Sequence, residues 1–431
     1  MLARDFFGIK PVYYAEIDGH FVFASEIKSI LAFPGYERKV NQKALEQYLS
    51  FQYAPLEETF FKGIYKLMPG HMLLYKNGNY EIKTYFKTKL TPDKWNRKTN
   101  MDQLRSQLAE ILKDSVKHHM LSDVEVGAFL SGGVDSGYLA SASGADQAFT
   151  VGFDEGDRYS EVNKAAKVGR KSRIETPCEI ISKQEFWDAL PDVMYHMDEP
   201  LGDASAVALY FLSKEAAGHV KVVLSGEGAD ELFGGYNIYR EPESLKKIDW
   251  IPFGVRRVIG KLAAKLPDVK GRDFLIRAGM KVEERFIGNA YIYREKEKAQ
   301  ILKNKVTGPS TQEYLRPFFE ELESENRGLL QDMEKMQSVD LNYWLPGDIL
   351  QKADKMSMAH SLEVRVPFWI KKFLTLQQSF RKKPRLQQVQ PNIFSVKLFQ
   401  NFFHRKPMNG RNLVFPFQSV CGCGRMTGIR W

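Results

Sequence analysis

The chain has 431 residues, 43% of them hydrophobic and 27% charged, which is the composition of a globular protein long enough for two or three domains with cores of their own. No apolar run approaches the roughly 18 residues of a membrane span, and Met1-Leu2-Ala3-Arg4-Asp5 lacks the apolar core of a signal peptide; Cys178, Cys421 and Cys423 are too few for a disulfide framework, so a reducing, cytoplasmic setting is expected. The net charge of +9 suggests nucleic acid, yet residues 369–431 hold 12 of the 62 lysines and arginines and none of the 53 acidic residues, leaving 50 basic against 53 acidic groups before them; the basicity belongs to the tail, and neither a nucleic-acid nor a membrane partner is expected.

Residues 1–90 read as β-rich α/β sequence. Val12–Ile17, the turn Asp18-Gly19-His20 and Phe21–Ala24 predict a hairpin, and Ser25–Leu31 a short helix. Met68-Pro69-Gly70 and Asn77-Gly78 are turns that bracket a strand at His71–Tyr75. The start is abrupt, as though strands were missing before it. Thr91–Asn100 is a polar linker, after which Leu104, Leu108, Ile111, Leu112 and Val116 recur at helical spacing.

The rest is organised around LSDVEVGAFLSGGVDS at 121–136. Val124, Val126, Ala128 and Leu130 make a buried strand that stops at Ser131-Gly132-Gly133-Val134-Asp135-Ser136, before a helix-like segment. Paired glycines at a strand end let backbone N–H groups converge on an anion, and the following helix N-terminus adds about half a positive charge. The stretch therefore predicts a pyrophosphate cradle, without the lysine and spacing of a Walker-type loop. Strand at Ala148–Phe153, helix at Ser160–Gly169 and buried strand at Val220–Leu224 continue the alternation. That rhythm predicts a parallel sheet with helices on both faces and a ligand at the strands' carboxyl ends.

A second glycine-bearing corner follows the third of these strands: Ser225-Gly226-Glu227-Gly228-Ala229-Asp230-Glu231, then Gly234-Gly235-Tyr236. Three carboxylates within five residues repel one another unless cations occupy the site, so this reads as the second wall of a nucleotide site. From about 240 to 345 the pattern is helical, with Phe318, Phe319 and Trp344 as packing residues. Asp348–Phe368, DILQKADKMSMAHSLEVRVPF, taken alone is a mixed-charge helix.

Together the three stretches resemble the glutamine-dependent asparagine synthetase family, over residues 3–368. Arg4–Pro11 and Phe23–Glu26 resemble the end of its N-terminal glutaminase domain; SGGVDS, Ser225–Glu231 and DKMSMAHSLEVRVPF resemble its synthetase domain. The resemblance implies a parallel-sheet, ATP-pyrophosphatase-type α/β domain at 91–368, preceded at 1–90 by the residual part of an N-terminal-nucleophile glutaminase sandwich. It also implies that aspartate is activated by ATP as an acyl-adenylate and captured by ammonia, giving asparagine, AMP and pyrophosphate. Ser131, Gly132, Gly133, Asp135 and Ser136 would hold the phosphates, with Asp135 placing Mg²⁺. Leu130, Val151, Ser225 and Gly226 would line the nucleotide. Glu227 matches the base for ammonia attack, and Asp230 would help hold substrate and metal. Residues 198–206, DEPLGDASA, shape the acceptor pocket without naming the acceptor, so a relative amidating a sugar acid or a lactam precursor is the alternative enzyme.

Two departures carry expectations. No cysteine precedes Cys178, and glutamine hydrolysis in this family needs a thiolate at the mature N-terminus. Nitrogen is then expected from free ammonia or from a separate chain with the missing half; a homodimer is a further expected partner. After Val366-Pro367-Phe368 the resemblance stops. Recoding with one nucleotide restored near codon 369 turns Phe368–Phe373 into FLDKKV, Gln388–Leu398 into TGTTKYFFRQA and Asn412–Cys423 into a stretch that contains LGFPVPIRVWL, all family-like. This predicts a one-nucleotide deletion and an aberrant basic tail at 369–431. The restored reading also has a lysine just before LGFP, a family phosphate-facing cation, where Gly410-Arg411-Asn412 has none. Cys421-Gly422-Cys423 lacks partners for a metal, and a non-catalytic remnant is the reading from another class.

Overall fold

The computed structural model describes residues 1–90, 101–154, 161–303 and 308–374. The linker at 91–100, Ser160, Arg411, and the segments 388–398 and 412–423 lie outside them.

Two three-stranded antiparallel sheets open the chain. One joins β2 (Tyr13–Ile17) to β3 (His20–Ala24) and β4 (Ile64–Lys66); the other joins β5 (His71–Lys76) to β1 (Leu2–Ala3) and β6 (Asn79–Thr84). The expected hairpin forms at Asp18-Gly19 (φ 47° and 77°), and the turn expected at Asn77-Gly78 (φ 52° and 80°) closes a second one; both supply the paired positive φ angles that match strand twist. Tyr14, Leu67 and Leu73 are buried between the sheets, and Phe21 stacks on Tyr75 with ring centroids 4.6 Å apart. The helix Ile27–Leu31 covers the other face of β2, where Ile27 and Ile30 meet Tyr13, Ala15 and Ile17. Helix and strand periods thus bury one layered unit.

The second unit is a five-stranded, wholly parallel sheet in the order β11-β10-β7-β8-β9: β7 (Val126–Phe129), β8 (Ala148–Phe153), β9 (Cys178–Ile181), β10 (Val222–Leu224) and β11 (Glu363–Arg365). The strand expected to carry Val124 begins at Val126 instead; Val124 is 49% exposed, ahead of the ladder. Gly127 lets two strands close up, since a Cβ there would stand 2.7 Å from the Phe149 ring. The helix Met101–His119 buries Leu108, Leu112 and Val116 as its spacing predicts.

Residues 348–368 correct the single-helix reading. A π-helical segment, Asp340–Ile349, contains Pro346, which has no N–H for the regular ladder. It continues into the α-helix Leu350–Met358, and a turn at Ser361 (φ 56°) then feeds β11 at the sheet edge. The alternation Leu362, Val364, Val366 is a strand pattern, with all three buried. The boundary placed at 368 is no edge of packing either: Trp369, Phe373 and Leu374 are buried, with Trp369 against Phe7 and Phe373 against Phe233. Trp369 and Phe373 fill the space at these two points with aromatic rings. One hydrophobic core runs through the sheet and its helices and takes in Phe7, Phe51 and Tyr53 of the first unit.

Candidate active site

Chain order and sheet order disagree at one place. From β7 the chain winds outward through β8 to β9, then returns to place β10 on the other side of β7. A parallel sheet opens a crevice at the carboxyl ends of strands where the winding reverses. The two glycine-bearing corners leave β7 and β10, so both lie at this switch point.

The first corner is bound by its own serines. The Ser136 hydroxyl accepts from the Ser131 N–H at 3.2 Å and lies 2.9 Å from the Ser131 hydroxyl, which in turn accepts from the Gly133 N–H at 3.4 Å. Gly132 has φ 72°, and a Cβ on it would stand 2.5 Å from Lys164 Cβ, so the loop is pressed against the first turn of the helix Val162–Ser172. Gly133 caps the helix Val134–Ser143 with no side-chain hydrogen bond to the first-turn amides, and Asp135 lies in that turn. Leu130 is buried and hydrogen-bonded to β8 through the Phe149 carbonyl at 2.8 Å; Val151, half-buried, lies further along β8.

The second corner closes on the first. A Cβ on Gly226 would stand 3.3 Å from the Ser136 nitrogen and 3.6 Å from the Asp135 carbonyl carbon. The N–H of buried Ser225 donates to the Arg365 carbonyl at 2.8 Å, extending the β10–β11 ladder. Gly228 (φ 81°) starts the helix Ala229–Phe233 and abuts Trp369, whose Nε1 would be 1.7 Å from an added Cβ. Asp230 lies against Gly235, where a Cβ would meet its Oδ1 at 1.7 Å. Among the described residues no three His, Cys, Asp or Glu side chains gather as a metal cage.

Burial raises the Glu227 pKa, with Asp203 adding to the rise and Lys352 opposing it. These neighbours form a buried charge cluster that sequence reasoning did not assemble. Lys352 pairs with Asp203 and with Asp348, 3.1 Å away and one helical turn earlier. Burial works against the Lys352 ammonium, but Asp203, Asp348 and Glu227 outweigh it and hold its pKa well above the usual value. Burial likewise opposes ionisation of Asp203, which Lys352 and the Ser205 N–H at 2.9 Å overcome; burial raises Asp348 despite Lys352. The i, i+4 spacing of Asp348 and Lys352 was the legible signal; their meeting with Asp203 was not. Next to Glu227, Glu231 is buried, accepts from the Tyr236 hydroxyl at 2.7 Å and is pushed up to about 7 by that burial. Lys164, beside Gly132, carries no sequence signal at all.

Residues 107–388 match the family model for asparagine synthase, and residues 1–86 that for a glutamine amidotransferase domain. The chain is 39% identical to asparagine synthetase [glutamine-hydrolyzing] 1 of Bacillus subtilis over 420 residues, covering 96% of this chain and 65% of that protein. It is 38% identical to a putative asparagine synthetase [glutamine-hydrolyzing] of Mycobacterium tuberculosis over 382 residues, 85% of this chain and 57% of the other. A third similarity, 30% over 262 residues, is to amidase chyE of Penicillium rubens, covering 55% and 38% of the two chains. The chain thus spans just under two thirds of the length of the bacillary relative.

Proposed function

The chain belongs to the asparagine synthase family, and from that premise we propose that it is an ATP-dependent amide ligase whose nucleotide lies in the crevice between the corners at 131 and 225. The observation that carries this is the closeness of Gly226 to Ser136 at the switch point, which leaves a cradle of backbone and hydroxyl groups free of an intruding Cβ. The first turn of Val134–Ser143, whose cap residue Gly133 has no side chain to bond its amides, and the Ser131 and Ser136 hydroxyls suit the pyrophosphate oxygens. Leu130, Val151 and the 225–226 backbone suit the adenosine end.

An acceptor carboxylate, aspartate in our reading, attacks the α-phosphorus and expels pyrophosphate; ammonia then attacks the acyl carbon and expels AMP. Ammonia must lose a proton as the amide forms, and Glu227 is the base proposed to take it. Its raised pKa favours holding that proton. Stabilising the leaving pyrophosphate is the largest electrostatic demand, met by the loop amides and by Lys164. Asp135 and Asp230, one from each corner, are the carboxylates that would hold a Mg²⁺ ion with the nucleotide, and that ion would supply neutralisation of the phosphate charge.

Ammonium is the nitrogen source to test, because it reaches the acyl carbon without any glutamine hydrolysis. Purified protein should release pyrophosphate from ATP only when aspartate is present and form asparagine when ammonium is added. Turnover with a sugar acid but not with aspartate would assign the acceptor differently, and no pyrophosphate with any acid would leave a non-catalytic protein. The reading of 369–431 as a frame-shifted tail remains part of this proposal. Sequencing that finds no lost nucleotide near codon 369 would remove it.

A further inference from the structure

The first unit grips the segment Asp198–Asp203 at three successive points. Asp198, its side chain enclosed, accepts from the Ile27 N–H at 2.9 Å and pairs with Lys28 at 3.1 Å. Glu199 accepts from the Phe60 N–H at 2.7 Å and pairs with Lys66 at 3.2 Å. The Gly202 N–H donates to the Gln52 carbonyl at 2.7 Å.

Gln52 then reaches further. It ends the helix Gln42–Phe51 in the left-handed conformation at φ 61°, which turns its carbonyl toward Gly202 and its side chain inward. The side-chain amide donates to Asp348 Oδ2 at 2.9 Å, and Asp348 pairs with Lys352, which holds Asp203. Gly202 has no room for a side chain here, since a Cβ would stand 2.8 Å from Gln52 Cβ. One residue of the amidotransferase-type unit is therefore bonded to both chain segments, 202–203 and 348–352, that carry the buried charge cluster of the synthetase-type unit.

We propose that Gln52 is a positioning residue for the acceptor site: its carbonyl fixes the 202–203 backbone and its amide fixes Asp348, so that Asp203 and Lys352 keep their register beside Glu227. This rests on the reading of 198–206 as the acceptor pocket. It gives residues 1–86 a role in substrate binding that is independent of glutamine chemistry.

The test is Gln52→Gly in the full chain. Glycine suits a positive φ, so folding is retained while the amide is lost; Lys83→Ala on the exposed hairpin is the control. Aspartate-dependent pyrophosphate release should show KM for aspartate raised about tenfold, as for loss of a charged-group hydrogen bond, with KM for ATP within about twofold. Hydrogen exchange of a peptide spanning 198–206 should quicken in Gln52→Gly alone. An unchanged aspartate KM in an active enzyme overturns the proposal. If the parent protein releases no pyrophosphate, the ligase reading fails separately and exchange decides: faster exchange at 198–206 upholds the holding role, and unchanged exchange rejects it.

Discussion

Gly226 lies so close to Ser136 that a Cβ would stand 3.3 Å from the Ser136 nitrogen. The contact joins the corner after β10 to the first turn of the helix after β7, and it makes the crevice sensitive to a single side chain. Gly226→Val should cut ATP affinity by at least about tenfold, because the added groups enter the space between the corners and the neighbours are backbone. Equilibrium titration with ATP and magnesium, beside a thermal melt showing an intact fold, checks it.

Glu227→Gln separates the two half-reactions. Activation of the acceptor needs no base at this position, whereas ammonia capture does. Aspartate-dependent pyrophosphate release should persist while asparagine formation falls by about 10²–10⁴-fold, the usual range for a lost general base. Equal loss of both would place Glu227 in acceptor or nucleotide binding instead.

Lys164 packs its Cβ against Gly132, 2.5 Å from where a Cβ there would stand, and its ammonium is the cation proposed to reach the phosphates. Lys164→Met keeps the aliphatic stem against the loop and removes the charge. ATP affinity should fall several-fold, with more loss at low than at high salt, since screening weakens what the ammonium contributes. Salt-dependent titrations of the two proteins give the comparison.

Asp340 makes stability depend on pH. It is buried, accepts from the Tyr239 hydroxyl at 2.5 Å and from the Asn289 N–H at 3.0 Å, and burial pushes it up from 3.8 to about 7. The folded state keeps this proton to near pH 7, whereas the unfolded chain loses it near pH 4. Its stabilising contribution is therefore complete below about pH 4 and lost as pH rises to about 7. At about 1.4 kcal/mol per unit, the loss is at most about 4 kcal/mol. Urea unfolding at pH 5 and pH 8 should show a smaller drop for Asp340→Asn, whose neutral amide does not titrate.

Much of this arrangement was legible because it is local. Asn77-Gly78 specifies a tight turn through its own φ preferences, and Ser131–Ser136 specifies a strand-to-helix corner with Gly132 at positive φ. The run 348–368 was misread because three elements share it: the end of a π-helical segment, a helix whose Asp354 and Lys355 are buried by partners elsewhere, and an edge strand. Lys355, for example, pairs at 2.5 Å with Asp198, 157 positions earlier. The Asp203–Lys352–Asp348 cluster was hidden for the same reason, since only the sheet order brings its two segments together. Sequence spacing marks turns and faces; it carries no distance between segments that meet through topology.

Trp369 tests the reading of the tail. Its ring fills the space over Gly228 and against Phe7, where the restored frame would place leucine. A chain carrying the restored tail, with leucine at 369 and a lysine before LGFP, should release pyrophosphate faster than the present chain. Equal rates from the two would show that 369–431 already supplies what the restored sequence would.

The account as a whole stands on ATP occupying the switch-point crevice, and titration calorimetry of ATP with magnesium against the full chain and its Gly226→Val variant tests that most directly. Saturable, one-site binding to the parent protein that is lost or at least about tenfold weaker in the variant is the predicted result. Absence of saturable binding to the parent, or equal affinity in both proteins, would contradict it.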